Sequence, residues 1–142
     1  MQIRELDLKE LQSAWELVSQ LRTQLDYKEY EDLVYEMREN YTMVGIFERG
    51  ELVCYAGVNI ATNLYHKRHL FIYELVTDEQ YRSQGYGKMM LEYLNDYARV
   101  GACENIVLSS GLQRTEAHTF YEKNEFVKTS YVFVKSLTYN TF

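Results

Sequence analysis

Proline is absent from the sequence, which leaves glycine, asparagine and aspartate to form its turns. Cysteine is scarce as well: Cys54 and Cys103 lie far apart, and neither has metal-ligand spacing to a second cysteine or a histidine. We therefore expect two reduced cysteines, no metal site and a cytoplasmic protein. Long apolar runs are also missing, so we expect neither a membrane span nor a secretory signal.

Basic charge is the third shortage. The net charge is −6, and no cluster of lysine and arginine is present that could follow a phosphate backbone. A nucleic-acid partner is therefore not expected, whereas a cationic substrate is compatible with the charge. The length of 142 residues and the hydrophobic content of 46% predict a single globular domain over residues 1–142.

The spacing of apolar residues predicts an α/β fold with a mixed sheet. Four segments have the spacing of amphipathic helices: 8–25, 27–40, 86–100 and 115–124. Strand-like segments lie at 1–6, 41–48, 51–64, 70–77 and 105–109, and residues 126–137 alternate like one or two final strands. The order predicts hairpins in the first half and helical crossovers in the second.

The chain is organised around residues 70–90. An apolar strand leads through a polar turn into the glycine loop Arg82-Ser83-Gln84-Gly85-Tyr86-Gly87-Lys88, which opens a helix. The first N–H groups of a helix lack internal partners and lie at the positive end of the helix dipole, so they bind anions. Gly85 and Gly87 would let the backbone approach a phosphate closely, and Arg82 and Lys88 would add positive charge.

The glycine loop differs from two common phosphate-binding patterns. A P-loop has four residues between its first glycine and the Gly-Lys pair, whereas only Tyr86 separates Gly85 from Gly87. A dinucleotide-binding loop has a third glycine at the position where this sequence has Met90. The loop does fit Arg/Gln-x-x-Gly-x-Gly/Ala, placed between a strand and a helix, at every fixed position.

This pattern resembles the acetyl-CoA-binding loop of the GNAT N-acetyltransferase superfamily. The segment Ala117-x-x-Phe120-Tyr121-x-x-x-x-Phe126 resembles the fourth helix of that family, and the order of elements agrees, so the resemblance covers nearly the whole chain. It implies a GNAT-type α/β fold, with a mixed, mostly antiparallel sheet of six to seven strands flanked by four helices. Residues 113–121 are also similar to small bacterial members that include aminoalkylphosphonate acetyltransferases.

The resemblance implies that acetyl-CoA is the co-substrate. Its pantetheine arm would pair with the end of the 70–77 strand, where two parallel strands splay, and its pyrophosphate would lie on the glycine loop. A backbone N–H near Val76 would stabilise the oxyanion. The implied cofactor-binding residues are Leu75, Val76, Thr77, Arg82, Ser83, Gln84, Gly85, Tyr86, Gly87 and Lys88.

Acetyl transfer to an amine needs a neutral amine and a proton for the departing thiolate. The resemblance makes Tyr121 the acid that protonates the sulfur, although a core tyrosine would occupy the same helix stripe. Glu74 shares a predicted strand face with Ile72 and Val76, where a carboxylate is costly unless it is paired or functional. It is therefore the candidate base, with structural pairing or binding of a cationic substrate as alternative roles. Other candidate bases are His66, His69, His118 and water.

Two positions depart from the family pattern. Glu125 stands where the family usually has glycine, so we expect Asn124 to adopt the left-handed conformation that ends the helix. Arg114 lies near the place where many members have asparagine, which leaves its part in CoA binding open.

The predicted function is acetyl-CoA-dependent acetylation of a primary amine on a small molecule, by direct attack in a ternary complex without a metal. Two alternatives are an acetyltransferase for protein lysines or N-termini and a non-catalytic acetyl-CoA-binding module. The acceptor would enter over the first two helices and residues 62–69, where Tyr27, Tyr30 and Tyr35 are available. The resemblance is also compatible with a homodimer that uses the predicted C-terminal strand.

Overall fold

A five-stranded sheet forms the centre of the first of two compact units, Met1–Leu108, in a computed structural model that describes residues 1–137. The strands are adjacent in chain order: β1 (Gln2–Leu6), β2 (Thr42–Glu48), β3 (Glu51–Asn63), β4 (Lys67–Thr77) and β5 (Asn105–Leu108). Neighbours from β1 to β4 are antiparallel, and β5 runs parallel to β4. The α/β fold with a mixed, mostly antiparallel sheet is thereby confirmed.

Three helices of the first unit flank this sheet: α1 (Leu11–Leu21), α2 (Tyr27–Met37) and α3 (Tyr86–Val100). Asp26 begins α2, since its side chain accepts the backbone N–H of Glu29 at 2.9 Å. The predicted end of the first helix near residue 25 is wrong. The helix ends at Leu21 because the chain must turn before the cap of α2.

The side chains of β3 alternate between two apolar layers. Tyr55 packs in a buried cluster with residues of α1 and α2, including Leu17 and Val34. The neighbouring Cys54 faces the opposite side, where its thiol donates to the backbone carbonyl of Tyr86 at 3.9 Å, at the start of α3. The sheet therefore separates α1 and α2 from α3.

The second unit begins at Ser109 and contains α4 (Thr115–Lys123). Asn124 has a φ of −104°, so the prediction that it adopts the left-handed conformation is wrong. Glu125 adopts that conformation instead, with a φ of 72°. The reason is hydrogen bonding: with the reversal at Glu125, the N–H of Phe126 reaches the carbonyl of Tyr121 at 3.0 Å and closes the helix end.

The expectation of six to seven strands is wrong, because five strands are present among residues 1–137. Residues 126–137 contain no strand, and most of their large apolar side chains are exposed, as with Phe133 at 93%. A strand requires a hydrogen-bonded neighbour as well as alternating side chains, and no described segment pairs with this one.

No helix among residues 1–137 is long and apolar enough to cross a membrane.

Candidate active site

One edge of β4 is open near its C-terminal end. The parallel pairing with β5 starts at His69 and ends with the pair Ile72 and Leu108. From Glu74 to Thr77, β4 pairs with β3 but with no other described strand. The backbone of this stretch can therefore accept an extended ligand, and it lies where the resemblance places the pantetheine arm.

A β-bulge at Tyr73 changes the face of the sheet on which Glu74 lies. Across β3 and β4, Gly57 is opposite Glu74 and Val58 is opposite Ile72, so Tyr73 is an extra residue in β4. Because opposed residues share a face and neighbouring residues do not, Ile72 and Glu74 face opposite sides. The predicted common face of Glu74 and Ile72 is therefore wrong.

The carboxylate of Glu74 is held by donors from two sides. Arg22, which follows the last turn of α1, donates from Nε and Nη2 to Oε2 at 3.2 and 3.0 Å. The same Nη2 donates to the carbonyl of Tyr73 at 2.6 Å. The hydroxyl of Tyr41, just before β2, donates to Oε1 at 2.5 Å. With 14% of its side chain exposed, Glu74 is a paired, largely buried carboxylate at the open edge.

Further hydroxyl groups continue from Tyr41 into the core. The hydroxyls of Tyr41 and Tyr55 are 2.8 Å apart. Because Tyr41 gives its one proton to Glu74, Tyr55 must be the donor between them. Burial raises the pKa of Tyr41 and of Tyr55 well above 10, so both stay protonated at neutral pH. The nearby Tyr30 contributes to the raised pKa of Tyr55, but its buried hydroxyl makes no hydrogen bond of normal geometry with a described residue.

The histidines of the first unit lie at the other end of β4. His69 is 4% exposed, and its Nδ1 is 2.9 Å from the carbonyl of Lys67. It precedes Glu74 by five positions, or roughly 16 Å of extended chain. His66 stacks on Tyr65 with 4.4 Å between the ring centroids. The structure therefore does not bring His66 and His69 to the carboxylate.

The glycine loop forms an open helix start. Gly85 is the N-cap of α3, with a left-handed φ of 87° and no side-chain hydrogen bond to the helix. A Cβ built on Gly85 would meet no atom within 4 Å. The first N–H groups of α3 therefore face space without a side-chain cap, which fits a phosphate group.

The side chains of this loop divide into exposed and buried groups. Arg82, Ser83, Gln84 and Lys88 are exposed, and Nε of Arg82 donates to the carbonyl of Thr77 at 3.3 Å, which ties the loop to the end of β4. Tyr86 is only 9% exposed, so its backbone rather than its ring is available to a ligand.

Tyr121 lies in the second unit, on α4. Its ring contacts those of Phe120 and Phe126, with centroid separations of 5.6 and 5.7 Å. Burial raises the pKa of its hydroxyl, and the positive charge of Arg114 partly opposes that shift. Tyr121 is therefore a proton donor rather than a phenolate at neutral pH. His118 of the same helix has its Nε2 2.8 Å from the carbonyl of Gly111.

The three tyrosines predicted for the acceptor side differ in what they can do. The Tyr27 hydroxyl donates to Glu31 at 3.2 Å, Tyr30 is buried, and Tyr35 is 44% exposed. Tyr30 stacks on Trp15 and Tyr27 contacts it edge-on, so both contribute to the core between α1 and α2.

Arg22 and Tyr41 were not identified by sequence reasoning. Arg22 lies inside the helix predicted over 8–25 and belongs to no motif, while Tyr41 has the pattern of the first residue of a strand. One signal was available: Gly57 is an isolated glycine within an apolar strand, which often marks the close approach of another group.

Known proteins resemble this chain over nearly its full length. The family model for the acetyltransferase (GNAT) family matches residues 3–126. An uncharacterized N-acetyltransferase, YhdJ of Bacillus subtilis, is 36% identical over 130 residues, which cover 89% of this chain and 92% of that protein. An aminoalkylphosphonate N-acetyltransferase of Salmonella typhimurium is 25% identical over 142 residues, which cover 96% and 91% of the two chains.

The fold also occurs in solved structures of low sequence identity. The crystal structure of a ribosomal-protein-alanine N-acetyltransferase from Brucella melitensis matches with a TM-score of 0.82. The match covers 96% of this chain and 99% of that one, at 16% identity, and therefore shows a shared fold.

Proposed function

This chain belongs to the acetyltransferase (GNAT) family as an N-acetyltransferase, and we propose that it acetylates the primary amine of a small molecule by direct attack in a ternary complex with acetyl-CoA. The observation that carries the proposal is the open edge of β4 at Tyr73–Thr77, next to the uncapped start of α3 at Gly85. We also propose that residues 1–142 form one domain, because the family match spans both compact units.

The co-substrate would lie along these two features. The backbones of Leu75, Val76 and Thr77 would pair with the pantetheine arm, and the N–H of Val76 would donate to the developing oxyanion. The pyrophosphate would accept the N–H groups of the glycine loop and of the first turn of α3, which includes Gly87. The exposed Arg82, Ser83, Gln84 and Lys88 would contribute hydrogen bonds and positive charge, and Tyr86 would contribute its backbone.

Glu74 would act as the base. A carboxylate has about four acceptor positions, and Arg22 and Tyr41 occupy three of those of Glu74. The remaining position would take a proton from the substrate ammonium, directly or through water. The neutral amine would then bond to the acetyl carbon as the carbon–sulfur bond breaks.

Tyr121 would return a proton to the departing thiolate. The family resemblance supports this role, and so does its hydroxyl, whose pKa is raised and which therefore keeps its proton. Direct attack is favoured over a covalent intermediate on Cys54. Burial raises the pKa of the Cys54 thiol to about 11, which leaves it a poor nucleophile at neutral pH.

A small acceptor is favoured by the relative that is an aminoalkylphosphonate N-acetyltransferase, which aligns with almost the whole chain. The aligned structure of a ribosomal-protein-alanine N-acetyltransferase supports protein N-termini less, since its 16% identity reflects the fold alone. A cytoplasmic location remains a prediction.

Two measurements on one preparation test the proposed function. Thermal unfolding is recorded with and without acetyl-CoA, and release of CoA thiol is recorded with small primary amines, aminoalkylphosphonates and peptides. We expect stabilisation by acetyl-CoA and thiol release with a small amine. Stabilisation without turnover on any amine would instead identify a non-catalytic binding module, and no stabilisation would reject both functions.

A homodimer is the assembly that we propose for this chain. The support is the exposed apolar side chains of residues 126–137, among them Val132, Phe133 and Val134. Light scattering coupled to gel filtration measures the mass of the particle in solution. A mass equal to that of one chain would reject the homodimer.

A further inference from the structure

The phenol of Tyr41 packs on Gly57 and reaches the carboxylate of Glu74. Gly57 lies opposite Glu74 across the β3–β4 pair. A Cβ on Gly57 would overlap the hydroxyl oxygen and Cζ of Tyr41 and would come within 2.6 Å of its Cε1. Gly57 is not among the glycines with positive φ, so the backbone conformation does not require glycine there. What the position requires is space, and the phenol of Tyr41 occupies it.

The hydrogen bonds among Tyr55, Tyr41 and Glu74 all donate towards the carboxylate. An ionised carboxylate only accepts, so the proton of Tyr41 points to Oε1 of Glu74 and the proton of Tyr55 points to Tyr41. Tyr55 is 0% exposed, and Tyr41 is partly buried. The two hydroxyls therefore form a fixed row of donors that ends on the carboxylate.

Arg22 and Tyr41 hold the two carboxylate oxygens in different ways. The side chain of Arg22 is 36% exposed, so solvent and salt screen its charge. Tyr41 is uncharged and partly buried, and it fixes Oε1 without neutralising the carboxylate. Two further tyrosines interact electrostatically with the carboxylate, Tyr30 from α2 and Tyr55 from β3, and the ring of Tyr73 from β4 packs against that of Tyr41.

We propose that Tyr41 is a positioning residue for catalysis: admitted by Gly57 and oriented by Tyr55, it holds Glu74 ionised and aimed at the acceptor amine. This inference rests on the proposed function, in which Glu74 is the base. A hydrogen bond to the ionised form of an acid favours that form. Loss of the Tyr41 hydroxyl should therefore make Glu74 easier to protonate and less well oriented.

The test replaces Tyr41 by phenylalanine, which keeps the ring packed on Gly57 and removes the donor. We expect kcat to fall about tenfold at slightly acidic pH, which corresponds to one charge-assisted hydrogen bond. The acid limb of the kcat/KM profile should move to higher pH, while KM for acetyl-CoA stays the same. Tyr55→Phe should move the limb less, in the same direction. Tyr93→Phe, on α3, is the matched control and should not move it.

A readout without turnover separates this inference from the proposed function. The carboxyl carbon of Glu74 is followed by ¹³C NMR during a pH titration and is assigned by its loss in Glu74→Gln. Its midpoint should rise in Tyr41→Phe and stay in place in Tyr93→Phe. An active wild-type chain whose midpoint and acid limb do not move in Tyr41→Phe would overturn the role of Tyr41. A wild-type chain that acetylates no amine would overturn the proposed function instead.

Discussion

Ile72 and Glu74 are two positions apart on β4, yet they face opposite sides of the sheet. The bulge at Tyr73 causes this reversal, and it brings the carboxylate to the side of α1 and α2, where Arg22 and Tyr41 donate to it. The same bulge lies just after the last pair between β4 and β5. One local irregularity thus marks the start of the open edge and places an acidic group beside it.

Gly85 is required for the backbone conformation at the start of α3. Its φ of 87° costs a β-branched residue about 1–2 kcal/mol, whereas asparagine adopts it more readily. Gly85→Val should therefore lower the free energy of unfolding by about that amount and weaken acetyl-CoA binding. Gly85→Asn should unfold at nearly the wild-type urea concentration. Equal losses in the two variants would show that φ is not the cause.

Glu125 is a site where a substitution should stabilise the second unit. It holds a φ of 72° that costs a residue with a side chain about 1 kcal/mol relative to glycine. Glu125→Gly should therefore raise the free energy of unfolding by about 1 kcal/mol in a urea titration. Asn124→Gly, at a φ of −104°, should lower it. A stabilising effect of Asn124→Gly alone would contradict this assignment.

The buried tyrosines make stability depend on alkaline pH. Burial raises the pKa of Tyr30, Tyr41 and Tyr55 above the ordinary value of 10.0, so the folded state keeps protons that the unfolded state loses. The three tyrosines therefore contribute fully to the free energy of unfolding below pH 10. Above pH 10 this free energy falls, by up to about 1.4 kcal/mol per pH unit for each tyrosine.

Tyr30→Phe provides the check on this alkaline dependence. It should make the decline above pH 10 shallower without loss of stability at neutral pH, because the Tyr30 hydroxyl has no hydrogen bond to a described residue. Urea unfolding at several pH values measures both quantities. An unchanged slope would show that Tyr30 ionises as readily in the folded state as in the unfolded chain.

Tyr121 should affect turnover without affecting co-substrate binding. Tyr121→Phe keeps the ring between Phe120 and Phe126 and removes the acid, so kcat should fall by about 10²-fold. The affinity for acetyl-CoA, measured by titration calorimetry, should be unchanged. Tyr131→Phe is the matched control, since that side chain is 77% exposed. An equal rate in wild type and Tyr121→Phe would make Tyr121 a core residue only.

Most of the fold follows from local signals in the sequence. The apolar spacing of 27–40 and 86–100 predicted two helices close to where they occur, and the strand-like segments predicted β1 to β5. Residues 126–137 show the limit of such reasoning. Alternation describes one segment, whereas a strand also depends on a neighbouring strand that the pattern does not reveal.

The candidate site was predictable in its glycine loop but not around Glu74. The loop is contiguous, so its residues and spacing are visible in the sequence. Arg22 and Tyr41 reach Glu74 from 52 and 33 positions away, and a bulge inside β4 sets the face of the carboxylate. Such contacts depend on tertiary packing and on a change of register that side-chain alternation does not encode.

The central claim, acetyl transfer to a small primary amine, is tested most directly by product analysis. The chain is incubated with acetyl-CoA and, in separate samples, a small primary amine, an aminoalkylphosphonate and a peptide with a free N-terminus and a lysine. Acetylated product and CoA thiol are then quantified together. We predict equal amounts of both with a small amine, and a kcat/KM at least about tenfold lower with the peptide. Preferred acetylation of the peptide, or CoA release without an acetylated amine, would contradict the claim.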